Sequence, residues 1–378
     1  MLSLLVEVML LAAGTAGGVF FHLRHFGLTV LVLLAPLPGL APAFLLLSIW
    51  RLESIRLALL AYVMSLAVNL ILTGEFALLV CEGVEVSDAV RTTYRRHGAA
   101  LGAVSLAVTA ALAVGGLVDQ AWPLSLYAAA LAAATNGSVL GFFSLARFLP
   151  YREDFVALHN RAEERWHRRC GWLIAVAQPR WGFTVAGISL VFAALGYFGA
   201  HPLKLAWQDG AGVWIAMSLM AILALAALAA TVRDWRNTIA AALALPVPFL
   251  LGLWGLAKAG STLDSKSLLL LLLAVGAGAV SMFAAGAEAG CRSRAGNDTV
   301  FAAGRILQRD GRNLFFAGAT PALALLLSAL ATGATGIALA IAAGFAGAGA
   351  LLFRPAYAAV IEIWLPRATA LASRYRLP

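Results

Sequence analysis

The sequence predicts an all-α, polytopic membrane protein with about eleven transmembrane helices. Of the 378 residues, 62% are hydrophobic and only 12% are charged, and apolar stretches of roughly 20 residues recur along the chain. A soluble domain carries about 25% charged residues, so this chain has too little polar surface for a globule in water. The apolar stretches are continuous runs of Leu, Ala and Gly without the alternating polarity of barrel strands, which favours helices.

The predicted spans are residues 1–21, 27–47, 57–80, 99–118, 123–146, 181–199, 212–232, 238–257, 267–290, 313–332 and 336–356. Their orientation follows from the basic residues, which concentrate in cytoplasmic connections. With the N-terminus outside and the C-terminus in the cytoplasm, 22 of the 27 basic residues lie inside. The five on the outer side are Arg51, Arg56, Lys204, Lys258 and Lys266. We therefore expect a multi-pass protein of the cell (inner) membrane.

The longest connection on the predicted inner side, residues 151–180, has the spacing of an amphipathic helix. Its apolar face comprises Phe155, Leu158, Ala162, Trp166 and Cys170, and its charged face comprises Arg161, Glu164, Arg165 and Arg168. We expect this helix to lie in the inner interface, with its arginines facing anionic headgroups. An ordinary solvated linker is the alternative for the same segment.

The two halves of the chain match at an offset of 210 residues, which indicates an internal repeat. The matching pairs are Pro36 and Pro246, Pro38 and Pro248, Cys81 and Cys291, Asp88 and Asp298, and Val90 and Val300. When a small insertion is allowed, the triplet Arg96-His97-Gly98 corresponds to Arg309-Asp310-Gly311. Paired prolines and cysteines at one offset are much less expected by chance than paired alanines or leucines.

The repeat divides the chain into three parts. Residues 1–150 are a first five-helix repeat, and residues 151–210 hold the interfacial helix and one unpaired span. Residues 211–378 are a second five-helix repeat with a C-terminal tail. Because a single span separates the copies, the second copy begins on the same side of the membrane as the first. The sequence therefore predicts a parallel repeat about an axis along the membrane normal.

Small residues and prolines mark where helices are expected to pack closely or to bend. The small-residue stretches are residues 276–278, 284–286 and 344–349, which permit close contact between helices. The prolines expected to kink spans are Pro36, Pro38, Pro246, Pro248 and Pro321.

Two segments share the same order of elements. In each, a span rich in small residues leads into a charged inner helix, and an acidic-x-Val sequence then precedes the next span. They are VNLILTGEFALLVCEGVEVSDAV at 68–90 and GAGAVSMFAAGAEAGCRSRAGNDTV at 276–300. This order of elements resembles the membrane domain of the resistance–nodulation–division (RND) superfamily, particularly its MMPL-type exporters. The resemblance covers nearly the whole chain but includes neither the family's first span nor its extracytoplasmic domains. It implies an exporter that would need a separate extracytoplasmic partner protein.

The same resemblance locates a departure at the family's proton relay. The family usually places an aspartate in its fourth and tenth spans, and the corresponding residues here are Asn69 and Val280. Neither side chain titrates in the working pH range, so the resemblance implies that the usual relay is missing or displaced. Asn69 is expected to hydrogen-bond Ser281, Thr320 or another helix, either as interhelical glue or as part of a transport pathway.

Glu75 and Glu288 are the ionisable candidates within the spans. Burying a carboxylate in a bilayer costs several kcal/mol, so such groups are functional candidates by default. At these positions they would exchange protons; the alternative is that both are solvated at the inner interface, with Glu288 near Arg292. Glu7, close to the start of the chain, is predicted to be solvated at the outer interface.

These features favour a permease that moves a lipid-like or amphipathic substrate. The alternative is a non-transporting membrane scaffold, or a lipid-sensing partner subunit, derived from the same fold. The expected partners are membrane lipids, a separate extracytoplasmic protein and further copies of the chain. No Ser/His/Asp grouping, phosphate loop or metal-ligand spacing is visible, so we predict no enzyme activity, cofactor or metal. The net charge is +9, but the basic residues are not interleaved with aromatic ones, which argues against nucleic-acid binding.

Overall fold

The computed structural model contains only helices as regular elements, and no strand occurs among the residues it describes. The described residues are 2–41, 45, 55–98, 101–102, 105–106, 109–110, 113, 135–146, 153–201, 218, 222, 225–226, 229, 234–261, 265–294 and 299–364. Most of the predicted spans 99–118 and 212–232, and the first half of 123–146, lie outside these residues.

The helices are α1 Leu2–Leu23, α2 Phe26–Leu34, α3 Ile55–Cys81, α4 Val86–Thr93, α5 Glu153–Cys170, α6 Leu173–Val176, α7 Pro179–Ala200, α8 Trp235–Ala244, α9 Pro246–Lys258, α10 Ser265–Arg294, α11 Thr299–Arg309, α12 Gly311–Thr332, α13 Ala334–Ala348 and α14 Arg354–Trp364. Two five-residue π-helical turns add to them, Tyr94–Gly98 after α4 and Gly349–Phe353 between α13 and α14.

Seven helical segments in the described part of the chain are long and apolar enough to cross a membrane. They are Val6–Leu23, Ala61–Cys81, Pro179–Ala200, Trp235–Lys258, Leu270–Gly290, Gly311–Thr332 and Ala334–Trp364. A shorter apolar helical segment covers Phe26–Ala41. The polytopic helical class is thus confirmed, whereas the count of eleven and the repeat stay predictions.

Two helix interruptions lie at predicted prolines. The helix that begins at Phe26 breaks in a turn at residues 35–36. The span Trp235–Lys258 breaks at Leu245, between α8 and α9. Pro36 and Pro246 lack the backbone N–H that would continue the helical hydrogen bonding, so each favours a break. Pro321, by contrast, lies inside α12 without ending it.

Helices α3 and α10 pack against each other in the centre of the structure. In the apolar stretches of Ala61–Cys81 and Leu270–Gly290, 89% and 78% of the residues are buried, whereas in Pro179–Ala200 only 17% are, so that helix lies at the periphery. The first residues of α3 and α10, Ile55 and Ser265, are separated by the offset found in the sequence. Side chains on these two helices are therefore the ones best shielded from the surroundings.

The predicted small-residue contact is present between α12 and α13. A Cβ atom built on Gly318 would lie 2.5 Å from the Cα atom of Gly347, and one built on Gly347 would lie 2.6 Å from the Cα atom of Gly318. Neither position accepts a side chain at the observed separation of the two backbones, because real Cβ atoms essentially never come so close.

The connection predicted to be amphipathic is a helix, α5, and it packs on the beginning of α12. Ala162 is buried, while Arg161 and Glu164 are exposed. The Nη1 atom of Arg312 donates to Oε1 of Glu163 at 2.9 Å, and the ring of Trp166 lies 5.4 Å from that of Phe315. This contact ties the predicted interfacial helix to the second half of the chain.

The last span is longer than predicted, because the helix continues through a π-helical turn beyond residue 356. Arg354 follows that turn and is completely buried. Its Nη1 atom donates to Oδ1 of Asn237 at 3.2 Å, and Asn237 donates in turn to Oδ2 of Asp234 at 2.7 Å. Asp234 also caps α8 by accepting from the backbone N–H of Arg236. The π-helical turn thereby directs the arginine at the first turn of α8.

Candidate functional site: a buried charge cluster

Charged side chains collect around Glu75, near the end of α3, where the carboxylate is only 2% exposed. Its Oε1 atom lies 2.5 Å from Nη1 of Arg96 and 3.4 Å from Nη2 of Arg309. Its Oε2 atom lies 3.9 Å from Nε2 of His97. One buried carboxylate therefore faces three basic groups. Arg309 also approaches Oε1 of the exposed Glu82 at 3.5 Å.

Two separate segments bring these groups to Glu75. Arg96 and His97 lie in the π-helical turn Tyr94–Gly98, and Arg309 ends α11 immediately before Asp310. These are the two triplets that the internal repeat pairs with each other. In the sequence these triplets indicate a repeat, and none of their residues was predicted to belong to a site. Their charged residues, matched between the two halves, were the signal that could have identified them.

Asp310 is the most unusual member of the cluster. It is buried, and neither of its carboxylate oxygens has a hydrogen-bond partner among the residues that the structure describes. Burial, together with the negative charges of Glu75 and Glu288, raises the pKa of Asp310 to about 7, although Arg309 and His97 oppose the shift. This carboxyl group therefore changes its charge near neutral pH.

His97 is also buried and lies between carboxylates. Burial alone would lower the pKa of His97, but the adjacent Glu75 carboxylate, with Asp310 and Glu288, outweighs that effect and raises it. A raised pKa in a histidine favours the imidazolium form near neutrality. The cluster thus contains one carboxyl group, Asp310, that changes its protonation near pH 7, and one histidine, His97, whose raised pKa favours the protonated form.

We expect Asp310→Asn to change how stability depends on pH. The ordinary pKa of this carboxyl group is 3.8 and its folded value is about 7, so the folded state binds more protons than the unfolded chain between these values. The free energy of unfolding should therefore fall as pH rises through this window, and the loss should be complete above about pH 7. Thermal unfolding in detergent should show this decline in the wild type.

The Asp310→Asn variant should match the wild type near pH 4 and exceed its stability at pH 8, since the amide never becomes charged. Asp88→Asn is the matched control, because the Asp88 side chain is 62% exposed. If Asp310→Asn kept the full pH dependence of the wild type, Asp310 would not be the titrating group.

Glu288 belongs to the same region. Its Oε1 atom pairs with Nη2 of Arg292 at 2.9 Å, one helical turn away, as the sequence suggested. The alternative of solvated carboxylates is wrong, however, because Glu75 and Glu288 are both buried within the protein. The prediction that Glu7 is solvated is also wrong. Glu7 is buried, because α1 packs along α12.

The three polar candidates Asn69, Ser281 and Thr320 do not come together. The Nδ2 atom of Asn69 donates to Oγ of Ser138 at 2.7 Å, whereas Ser281 donates to the carbonyl of Gly278 in its own helix. The side chain of Thr320 lies against Gly18 of α1. Asn69 therefore bonds another helix, and its partner is Ser138.

Of the two positions that correspond to the family's relay aspartates, the one in α10 has apolar surroundings. Val280 is buried among hydrophobic residues of α3 and α10. The charge cluster begins six residues after Asn69, which is about 9 Å further along the helix axis. In the described part of the chain, no group of three or more metal-ligating side chains is present.

Comparison with known proteins supports the fold. No family model and no curated protein matches the sequence. Among solved structures, the chain is similar to SecDF of Thermus thermophilus, described as a translocon-associated membrane protein, with a TM-score of 0.71 and 14% sequence identity. The match covers 96% of this chain and 63% of SecDF, so the chain spans less than two thirds of that protein. This likeness shows that the chain shares the membrane-protein fold of that part of SecDF.

Proposed function

We propose that this protein is an RND-type membrane permease whose proton-coupling site is the buried cluster around Glu75. The observation that carries this proposal is the meeting of two separate segments, one with the buried His97 and the other with the buried Asp310, at one buried carboxylate. We further propose that the substrate is lipid-like or amphipathic, as in the MMPL-type exporters, and that a separate extracytoplasmic protein completes the export route.

Protonation can change the shape of this site through simple electrostatics. When Asp310 is protonated, the cluster holds Glu75 against Arg96 and Arg309 without a competing buried anion. When Asp310 loses its proton, a second carboxylate charge appears beside Glu75 in a region of low dielectric constant, where like charges repel strongly. Because Glu75 belongs to α3 and Asp310 follows α11, this repulsion between the two carboxylates favours their separation.

The alternative, a non-transporting scaffold or a lipid-sensing partner subunit, is supported by a different observation. Asn69 is held by Ser138, and Val280 lies in an apolar environment, so the middle of the α3–α10 pair has the properties of a structural contact. On this alternative the Glu75 cluster is an ion-pair network that holds the two halves together and moves no protons.

Reconstitution distinguishes the two functions. Proteoliposomes that contain the protein, a fluorescent phospholipid analogue and an internal pH dye would receive an imposed pH gradient. A permease should move the analogue faster with the gradient than without it, and should consume the gradient. Glu75→Gln and Asp310→Asn should each reduce the gradient-dependent rate at least about tenfold, as expected for an essential proton-transfer group.

Glu85→Gln is the matched control, because Glu85 is exposed near the same end of α3. Gradient-dependent transport that survives both Glu75→Gln and Asp310→Asn would overturn the coupling site. Absence of any gradient-dependent flux in the wild type, with normally folded protein, would favour the scaffold.

We also propose that the Glu75 cluster faces the cytoplasm, with the N-terminus outside. This orientation rests on the distribution of basic residues, and single cysteines can test it. In a chain without its native cysteines, Ser87→Cys should react with an impermeant reagent only after the membrane is opened. His201→Cys should react in intact cells, and the reverse pattern would overturn the orientation.

A further inference from the structure

A groove lies between α11 and the short segment that joins α5 to α7. It has a volume of about 410 Å³. Its apolar wall is formed by Ile174, Ala177, Val300 and Gly304. Gly304 has no side chain to fill the space, since a Cβ atom there would meet only a methyl carbon of Ile174, at 3.8 Å. The groove is therefore apolar, open and set apart from the Glu75 cluster.

The rim of the groove carries unopposed positive charge. Arg305 and Gln308 of α11 face Gln178 across it, and all three are exposed. The Arg305 guanidinium lies over the ring of Phe301 at 5.2 Å, and it makes no ion pair within the described part of the chain. Neither wall supplies an acidic residue: the sequences 171–180 and 299–309 contain no Asp or Glu. A ligand that suits this rim carries negative charge.

Exposed aromatic residues surround the groove. Trp172 and Trp181 flank the segment that forms one wall, and Phe301 lies on the other. Further exposed tryptophans, Trp235 and Trp364, lie at the start of α8 and the end of α14, on the same predicted side. Tryptophan concentrates at the level where headgroups meet the hydrocarbon core. The groove is thus located where a lipid can enter from the side.

From this arrangement we infer that the groove is a binding site for an anionic phospholipid of the inner leaflet. The phosphate is held by Arg305, with hydrogen bonds from Gln178 and Gln308, and an acyl chain lies along Ile174 and Gly304. Basic sites between helices on the cytoplasmic side are known to suit such headgroups. Because one wall is joined to α5 and the other is α11, whose last residue is Arg309, the lipid would bridge the connector and the segment that carries Asp310.

This inference does not depend on transport, and a binding measurement tests it. Purified protein in a neutral detergent would be titrated with dioleoyl phosphatidylglycerol or dioleoyl phosphatidylcholine, and the first bound lipid would be followed by native mass spectrometry. The wild type should bind phosphatidylglycerol about fivefold more tightly, the effect expected of one arginine near an anionic headgroup. Equal affinity for the two lipids would overturn the site.

Three variants locate the binding. Arg305→Gln should abolish the preference for phosphatidylglycerol, whereas Arg168→Gln, at an exposed arginine of α5 outside the groove, should retain it. Gly304→Leu should fill the groove and weaken both lipids while the preference remains. Circular dichroism and thermal unfolding would confirm that each variant is folded. An equal loss of preference in Arg305→Gln and Arg168→Gln would indicate general attraction to the basic surface and overturn the proposal.

A soluble competitor separates a lipid site from a site for a free anion. Glycerol phosphate should fail to displace phosphatidylglycerol at concentrations a hundredfold above the lipid, because it lacks the acyl chain that contacts the groove wall. Displacement at concentrations equal to that of the lipid would assign the groove to a soluble phosphate compound and overturn the inference.

Discussion

Glu75→Gln is expected to lower the free energy of unfolding by about 2–4 kcal/mol, near the lower end of the range for breaking a buried ion pair. The side chain of Glu75 is 3% exposed, and the amide preserves its shape while removing its charge. Arg96 and Arg309 would then lose their shared counter-charge. The expected loss is reduced because the Arg96 side chain is 34% exposed and Arg309 can still reach Glu82.

Thermal and denaturant unfolding of Glu75→Gln in detergent would measure this loss, with Glu85→Gln as the exposed control. The variant should also show a weaker fall in stability between pH 4 and pH 7. Glu75 is one of the charges that hold the pKa of Asp310 high, so its neutralisation should lower that pKa toward the ordinary value. An unchanged stability together with an unchanged pH profile would contradict the existence of the Glu75 cluster.

Gly347→Ala is expected to have a comparable effect through packing alone. The added methyl group would lie 2.6 Å from the backbone of Gly318, so α12 and α13 must move apart or bend. Forced overpacking of this kind typically costs about 1–3 kcal/mol. Because alanine favours the helix over glycine by about 1 kcal/mol, any net loss in this variant reports the clash. Gly318→Ala should show the same effect from the opposite helix.

Gly187→Ala provides the control for this substitution. Gly187 also lies within a helix, but a Cβ atom there would meet nothing within 4 Å. This variant should be as stable as the wild type or slightly more stable. If Gly347→Ala and Gly187→Ala gave equal stabilities, the contact between α12 and α13 would be looser than the structure shows.

Much of the architecture could be predicted from the sequence because lipid imposes strict rules on the chain. Long apolar runs must be helical, two of them break at Pro36 and Pro246, and the α5 pattern separates Ala162 from Arg161 and Glu164. These features depend on local sequence, and the structure confirms them. The spans at 99–118 and 212–232 remain predictions.

The site was only partly predictable, because its members are brought together by the tertiary fold. Glu75 was identified since a carboxylate stands out in an apolar span. His97 and Asp310 were not, because charged residues beside the inner ends of spans usually belong to solvated connections. The partner of Asn69 was also missed: Ser138 lies 69 residues further along the chain, and nothing in the local pattern relates the two.

The π-helical turn at Gly349–Phe353 has a consequence for comparing this chain with its relatives. A π-helical turn contains more residues than an α-helical turn, because its hydrogen bonds reach one residue further. A relative whose last span is uninterrupted α-helix would therefore align only with a one-residue gap inside the membrane. An alignment that confines gaps to loops would shift Arg354 by one position and about 100° around the helix, and so match the buried arginine with a residue that faces elsewhere.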